Sequence, residues 1–282
     1  MLSKMLTPNP DPARPQTAGD VTLPTITNAM QTVNAKIGHY DFEIRSTKDQ
    51  QTKLQCYALV NKTSDALTQL ATKFSPSEIA YIRRLLDQMF ETNNTPTREL
   101  LALRHTEASQ LARARKGRQS QVNGDADGEA SQPADLGISI QEADNVLAAL
   151  LDEQFLTKSH ANYYTLAPRA LMELRAYLKE TYNEDASESD APVIRVHDCE
   201  GCQEIVTYGV RCNNRECDVR WHDQCCNSFY RGRKIGTRDC PKCKTECKGD
   251  YFVGERADRP SARGTTSTGG RRSTMAAEEE SE

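Results

Sequence analysis

The chain contains no run of eighteen apolar residues, so nothing in it reads as a membrane-spanning helix. Its opening MLSKMLTPNPDPARPQ lacks the apolar core of a secretory signal and the arginine- and serine-rich amphipathic pattern of a transit peptide, so a cytosolic or nuclear protein is expected. A strong charge of either sign is also missing. The formal net charge of −4 excludes a globally basic nucleic-acid binder and leaves only local patches to consider. With 37% hydrophobic and 27% charged residues, the 282-residue chain can build one or two small domains with linkers rather than one large core. Cysteine is almost absent from the first two thirds: of ten cysteines, only Cys56 lies outside residues 199–247. In a reducing compartment such a late cluster points to metal rather than to disulfides.

The segment TPNPDPARPQTAG at residues 7–19 has four prolines and few apolar groups, and is expected to be unstructured. Leu23, Ile26, Met30, Val33 and Ile37 then recur at helical spacing. DFEIR and LQCYALV follow as two strand-like runs around the polar turn STKDQQTK. At Phe74-Ser-Pro-Ser-Glu78 the start signals of a helix coincide, with Ser75 as cap, Pro76 at the first position and Glu78 three after the cap. A second helix is expected after Thr95-Pro96, with Leu100, Leu101 and Leu103 facing in. Residues 113–135 carry no aromatic and almost no large aliphatic side chain, so burial cannot offset the entropy of ordering them. Ser139-Ile-Gln-Glu142 repeats the capping pattern ahead of Ala143, Val146, Leu147, Leu150 and Leu151. A short hairpin across Phe155 to Leu166 and a helix opened by Pro168 complete the unit. Helix, helix, helix, hairpin, helix is the order of a winged-helix unit.

The acidic NEDASESDAP at residues 183–192 reads as a linker, and cysteines begin directly after it. Their spacing runs Cys199-x2-Cys202-x9-Cys212-x4-Cys217-x4-His222-x2-Cys225-x14-Cys240-x2-Cys243, which is four pairs of ligands. Two tetrahedral zinc ions need eight, and thiolates with one imidazole favour zinc over calcium or magnesium. Closed sites of this kind are structural. Residues 196–250 hold few core-forming side chains, namely Ile205, Val206, Val210, Val219, Trp221, Phe229, Tyr230 and Ile235, so metal should supply much of the folding free energy, on the order of 10 kcal/mol per ion. Cys226, Cys247 and His197 are substitutes that spacing alone leaves open, and so is the question of which pairs share an ion.

The order of four cysteines, a histidine and three cysteines, with Pro241 inside CPKC, resembles a RING-type finger. In that class the first and third pairs hold one ion and the second and fourth the other. The PHD finger shares this order but usually places an aromatic two residues before its seventh ligand, where this chain has Arg238. Taken with DFEIRS, YALVNKTSDALTQLAT and EIAYIRRLLDQMFETNNT, the finger resembles the non-SMC element 1 family, the RING subunit of the Smc-five/Smc-six chromosome-maintenance complex. That resemblance covers residues 20–250. It implies an α+β multidomain fold in which tandem winged helices, the first incomplete, precede a zinc-stapled cross-brace with seven cysteine ligands and one histidine. The expected organisation is a disordered leader at 1–20, a partial first winged helix at 21–72 and a second at 73–180 with its insert at 113–135. A linker at 181–195, the finger at 196–250 and a disordered tail at 251–282 complete it.

The resemblance further implies two zinc ions, a MAGE-type partner and a kleisin, a nuclear location, a role in DNA repair and recombination, and ubiquitin-ligase activity. Contacts to a ubiquitin-conjugating enzyme are expected at Ile205, Phe229 and Pro241, with Lys244 as a cationic clamp on ubiquitin. Gly201 departs from the aliphatic residue that active RINGs carry before the second ligand, and favours instead a docking subunit without catalysis. The helix SIQEADNVLAALLDEQF carries Glu142, Asp144, Asp152 and Glu153 and no basic residue, so any DNA contact is expected to be weak or indirect.

Overall fold

The apolar stripe from Leu23 forms helix α1 (Leu23–Ile37), none of whose residues is buried. Its Asn34 amide donates to the Ile44 carbonyl at 3.0 Å and accepts from the Ile44 N–H at 2.7 Å, fixing the helix to the next strand. That strand, β1 (Phe42–Lys48), pairs antiparallel with β2 (Gln55–Asn61) from Phe42↔Asn61 to Lys48↔Gln55. Asp49 builds the turn between them, its carboxylate accepting from the N–H groups of Gln51 at 2.9 Å and Thr52 at 2.6 Å. The computed structural model describes residues 21–62, 70, 72–113, 137–184, 192–231 and 238–258. The leader, nearly all of the insert, the middle of the linker and the tail beyond Asp258 lie outside the described residues, as does Ile235.

Helix α2 (Pro76–Asp87) starts where its signals place it, with Ser75 and Glu78 forming a reciprocal capping box. A π-helical turn at Gln88–Thr92 follows, then strands β3 (Asn94–Thr95) and β4 (Arg98–Glu99). The helix expected after Thr95-Pro96 is absent at that point. Leu100, Leu101, Ala102 and Leu103 form an uninterrupted buried run with no helical period, and Leu101 takes φ +48°, which ends any helix. The chain enters β5 (Leu103–Arg104) instead, and α3 (His105–Leu111) begins only afterwards.

Helix α4 (Ile140–Asp152) carries the second capping box, from Ser139 and Glu142. Strands β6 (Leu156–Lys158) and β7 (Tyr163–Leu166) form the short hairpin, and β5 adds to β7 to make a three-stranded sheet in the order β5-β7-β6. The expected last helix is broken at Leu174 into α5 (Pro168–Glu173) and α6 (Arg175–Tyr182). Tyr81, Met89, Phe90, Leu174, Leu178 and Tyr182 are among the fully buried side chains at the centre. Tyr182 stacks on Phe90 at 5.3 Å and donates its hydroxyl to Asp87 at 2.8 Å.

The finger contributes β8 (Gly209–Arg211), β9 (Arg220–Trp221), α7 (Asp223–Arg231) and β10 (Phe252–Val253). These strands do not form a separate sheet. A single five-stranded sheet runs β3-β4-β10-β8-β9, with β10 parallel to β4 and antiparallel to β8, so the finger is continuous with the preceding unit. Residues 251–258, expected as the start of a disordered tail, are ordered. Val253 is buried, and Gly254, at φ +86°, donates to the Glu99 carbonyl at 2.8 Å in a space where a Cβ would sit 2.4 Å from the Thr207 carbonyl oxygen. Asp258 then accepts from Arg98 at 2.7 Å and from the side chains of Arg104 and Tyr163. Two apolar residues and one glycine order a segment whose composition is otherwise that of a tail.

Each capping box should be separable from the packing it starts. Ser75→Ala and Ser139→Ala should each lower the unfolding free energy by about 1 kcal/mol in urea titrations, with unchanged m-value.

Candidate metal centres

The structure gathers the eight ligand candidates into two groups of four. Cys199, Cys202, His222 and Cys225 form one and Cys212, Cys217, Cys240 and Cys243 the other, with the donor atoms of each within 4.8 Å of one another. The first pair thus joins the third and the second joins the fourth, which is a cross-brace. The arrangement arises from short turns that present paired sulfurs. Backbone N–H groups of Gly201 and His222 each point at the Cys199 Sγ at 3.4 Å, and that of Asn214 points at the Cys212 Sγ at 3.4 Å. Gln203 and Lys244, each one residue beyond a ligand pair, take φ of +60° and +61° to close their turns.

His222 stands at the junction of β9 and α7. Its Nδ1 lies 3.2 Å from the Cys202 Sγ, while Nε2 lies 3.2 Å from the Ile205 carbonyl oxygen. The carbonyl can only accept, so it holds the proton on Nε2 and leaves the Nδ1 lone pair facing the thiols. Hydrogen bonding from Cys202, against the opposing effect of burial, pulls the Cys199 thiol far below its ordinary range, and the same contact pushes Cys202 up. In the second group, hydrogen bonds from Thr245 lower Cys243 to about 6, whereas burial raises Cys217 to about 11. Seven soft sulfur donors with one oriented imidazole fit closed tetrahedral coordination, and no carboxylate joins either group.

Neither Cys226, half-buried on α7, nor His197 belongs to either group. Cys247 stays outside too, although its Sγ approaches that of Cys212 at 3.7 Å. Among the four contact residues expected for a conjugating enzyme, Ile205 is a correction. It is 3% exposed, because its side chain belongs to the finger's small core while its carbonyl orients His222. Phe229 is half-buried and tilts against Trp221 at 4.6 Å, Pro241 is half-buried, and Lys244 is exposed with its Nζ donating to the Pro241 carbonyl at 2.9 Å. At Gly201 an added Cβ would stand 3.1 Å from the Cys225 Cβ and 3.2 Å from Trp221 Cζ3, so Trp221 occupies the room an aliphatic side chain would need.

Two residues that sequence reasoning passed over brace the centres from outside the finger. Gln50, in the β1–β2 turn, donates to the Ile205 carbonyl at 2.9 Å and accepts from the N–H groups of Thr207 at 3.0 Å and Tyr208 at 2.8 Å. Glu99, on β4, receives Arg220 in a bidentate pair at 2.7 and 2.6 Å and Arg211 at 2.7 Å. A cleft of about 650 Å³ lies between the hairpin turn and the finger, lined by Lys48, Lys53, Gly201, Trp221, Gln224 and Phe229 among others.

Comparison with known proteins decides the family. Residues 1–174, more than half of the chain, match the family model described as Nse1 non-SMC component of SMC5-6 complex, and residues 199–243 match a RING-like domain. The chain belongs to the Nse1 family. Among curated relatives, the non-structural maintenance of chromosomes element 1 homolog of Xenopus laevis is 22% identical over 67% of this chain and 56% of its own length. This chain therefore spans little more than half of that relative. Element 1 of Schizosaccharomyces pombe is 21% identical over 82% of this chain and 80% of its own length. A solved Nse1-Nse3-Nse4 complex contains a chain of the same fold, with a TM-score of 0.56, 18% identity and 80% of each chain covered.

The ligand assignment has a direct check. Cys225→Ser should lower bound metal from two ions per chain to one, whereas Cys226→Ser and Cys247→Ser should each retain two when measured by mass spectrometry under non-denaturing conditions.

Proposed function

We propose that this Nse1-family chain is the zinc-bearing RING-type ubiquitin-ligase subunit of an SMC5-6 complex, acting in DNA repair and recombination in the nucleus. The observation that carries the reading is the cross-brace of Cys199, Cys202, His222 and Cys225 with Cys212, Cys217, Cys240 and Cys243 in a domain of RING-like sequence. Zinc, when bound, supplies two closed tetrahedral crosslinks and no vacant coordination position. The chain's own residues then provide a surface. Phe229, Pro241 and Lys244 are the contacts proposed for a ubiquitin-charged conjugating enzyme, and no nucleophile of this chain enters the reaction. The contribution is orientation of a thioester for attack by a substrate lysine.

The preceding unit, with its order of three helices, hairpin and helix and with β5 extending the hairpin to a three-stranded sheet, is read as a winged helix, and α1 with the β1–β2 hairpin as part of another. Partner binding is the proposed role of both. Leu23, Val33, Tyr40, Phe42, Leu54, Tyr57 and Leu59 are exposed on α1, the hairpin and the short connection between them, an apolar surface suited to a MAGE-type subunit. A kleisin is the second proposed partner, since the solved relative assembles with Nse3 and Nse4. Glu142 caps α4 and Glu153, just past its end, pairs with Lys73 and Arg169, while α4 itself carries no basic residue to face a phosphate.

One observation favours a second reading, in which the finger docks partners without catalysing transfer. Trp221 fills the space beside Gly201, so the aliphatic contact of active RINGs is missing and cannot be added without moving Trp221.

A ubiquitin-chain assay with a panel of conjugating enzymes, run on the chain co-purified with its MAGE-type partner, separates the two readings. The ligase reading predicts chains that fall at least tenfold in Lys244→Ala and Phe229→Ala and vanish in Cys240→Ser. Chain formation no greater than in Cys240→Ser, with two zinc ions bound to the wild type, would leave the docking subunit.

A further inference from the structure

The finger's two centres are each tied by a polar side chain to the amino-terminal half of the chain, and the ties reach the ligand loops themselves. Arg220 uses three nitrogens. Nε and Nη2 hold Glu99, while Nη1 donates to the Cys217 carbonyl at 2.6 Å and the Val219 carbonyl at 3.0 Å. Arg211, next to Cys212, donates to the Pro96 carbonyl at 2.8 Å and the Arg215 carbonyl at 3.3 Å, and shares the same Glu99 oxygen. Together the two guanidiniums grip the backbone between Cys212 and Val219, the loop that delivers the second ligand pair. Glu99 is 5% exposed, Arg211 5% and Arg220 3%, so the cations have no water to fall back on if the carboxylate is removed.

At the other centre the Ile205 carbonyl takes two donors. His222 Nε2 is one and the Gln50 amide is the other, and Gln50 also fixes the following backbone through Thr207 and Tyr208. The acceptor that sets the imidazole's tautomer is thus itself held by the β1–β2 turn.

We infer that Glu99 and Gln50 are positioning residues of the metal centres, Glu99 for the four-cysteine site and Gln50 for the histidine-bearing site. Neither touches a ligand atom. Each acts through the backbone and side chains that aim the ligands, as outer partners of metal ligands do. The consequence is that the finger's metal affinity depends on the amino-terminal half staying docked: undocking the hairpin turn would weaken one site and separating β4 from β10 the other. The inference rests on reading the two groups as metal centres.

Cobalt(II) tests it on the full-length chain, because the d–d bands of a four-thiolate site lie at longer wavelength than those of a site with three thiolates and an imidazole. Each centre is read separately by displacement with a competing chelator. Glu99→Gln should weaken the four-thiolate site by roughly 10- to 100-fold and leave the other within twofold. Gln50→Ala should do the reverse, by roughly 10-fold. Glu99→Asp keeps the charge but shortens the reach, and should weaken the four-thiolate site by less than Glu99→Gln; it decides the matter if the glutamine variant does not fold. Equal weakening of both sites in these variants, or no change at the braced site, would overturn the inference. A wild type that binds no cobalt would instead defeat the reading of the groups as metal centres.

Discussion

Glu99 lies outside the finger, yet two of the finger's arginines turn inward to meet it. A buried guanidinium is tolerated only when its charge and donors are met, and breaking such a pair typically costs about 3–5 kcal/mol. Here one carboxylate meets both cations, and the Nη1 of Arg220 and the two Nη atoms of Arg211 are directed to the carbonyls of Pro96, Arg215, Cys217 and Val219, while the buried Nε of Arg211 meets no acceptor among the described residues. The rest of the junction is arranged around that contact. β4, which carries Glu99, pairs with β10, and β10 pairs with β8, which carries Arg211. Asp258 closes the far end against Arg98, Arg104 and Tyr163. A small cysteine-rich segment with few apolar side chains thereby gains a wall it could not build itself.

That arrangement separates what could be read in the sequence from what could not. Ligand types and spacings are local properties, so two sites of four were legible from CxxC and HxxC repeats, whereas the pairing across the brace was open until the donors were seen together. Helix starts at Ser75 and Ser139 were equally legible, since a capping box lies within four residues. The stretch Leu100–Leu103 was not, because an apolar run has no period and the φ of Leu101 is set by what surrounds it. Phe252 and Val253 hide in a polar tail because their pairing partners are distant in sequence: Val210 and Gly209 on β8, and for Val253 also Glu99 on β4. Glu99 and Gln50 look like surface residues of a strand end and a turn. Ile205 stood both among the expected core residues of the finger and among the expected contacts, because an apolar residue in a small finger can serve either; its burial places it in the core, with its carbonyl at His222.

For function, the continuity of sheet and finger means that surfaces on the two halves keep a fixed relation. The turn end of the β1–β2 hairpin, from Ser46 to Gln50 with Lys53 and Gln55, lines the cleft that also borders Gly201, Trp221 and Phe229. In such a molecule the finger is less an independent module on a tether than the last layer of a domain begun before the insert.

Metal, finger and amino-terminal half should behave as one cooperative unit. Amide hydrogen exchange along the full chain, before and after removal of metal with a chelator, tests it most directly. Protection lost in the finger should spread to Asn94–Glu99, Phe252–Gly254 and the turn around Gln50, while α4 and β7 keep theirs. Loss confined to residues 199–243, with β4 and the hairpin turn unchanged, would contradict it.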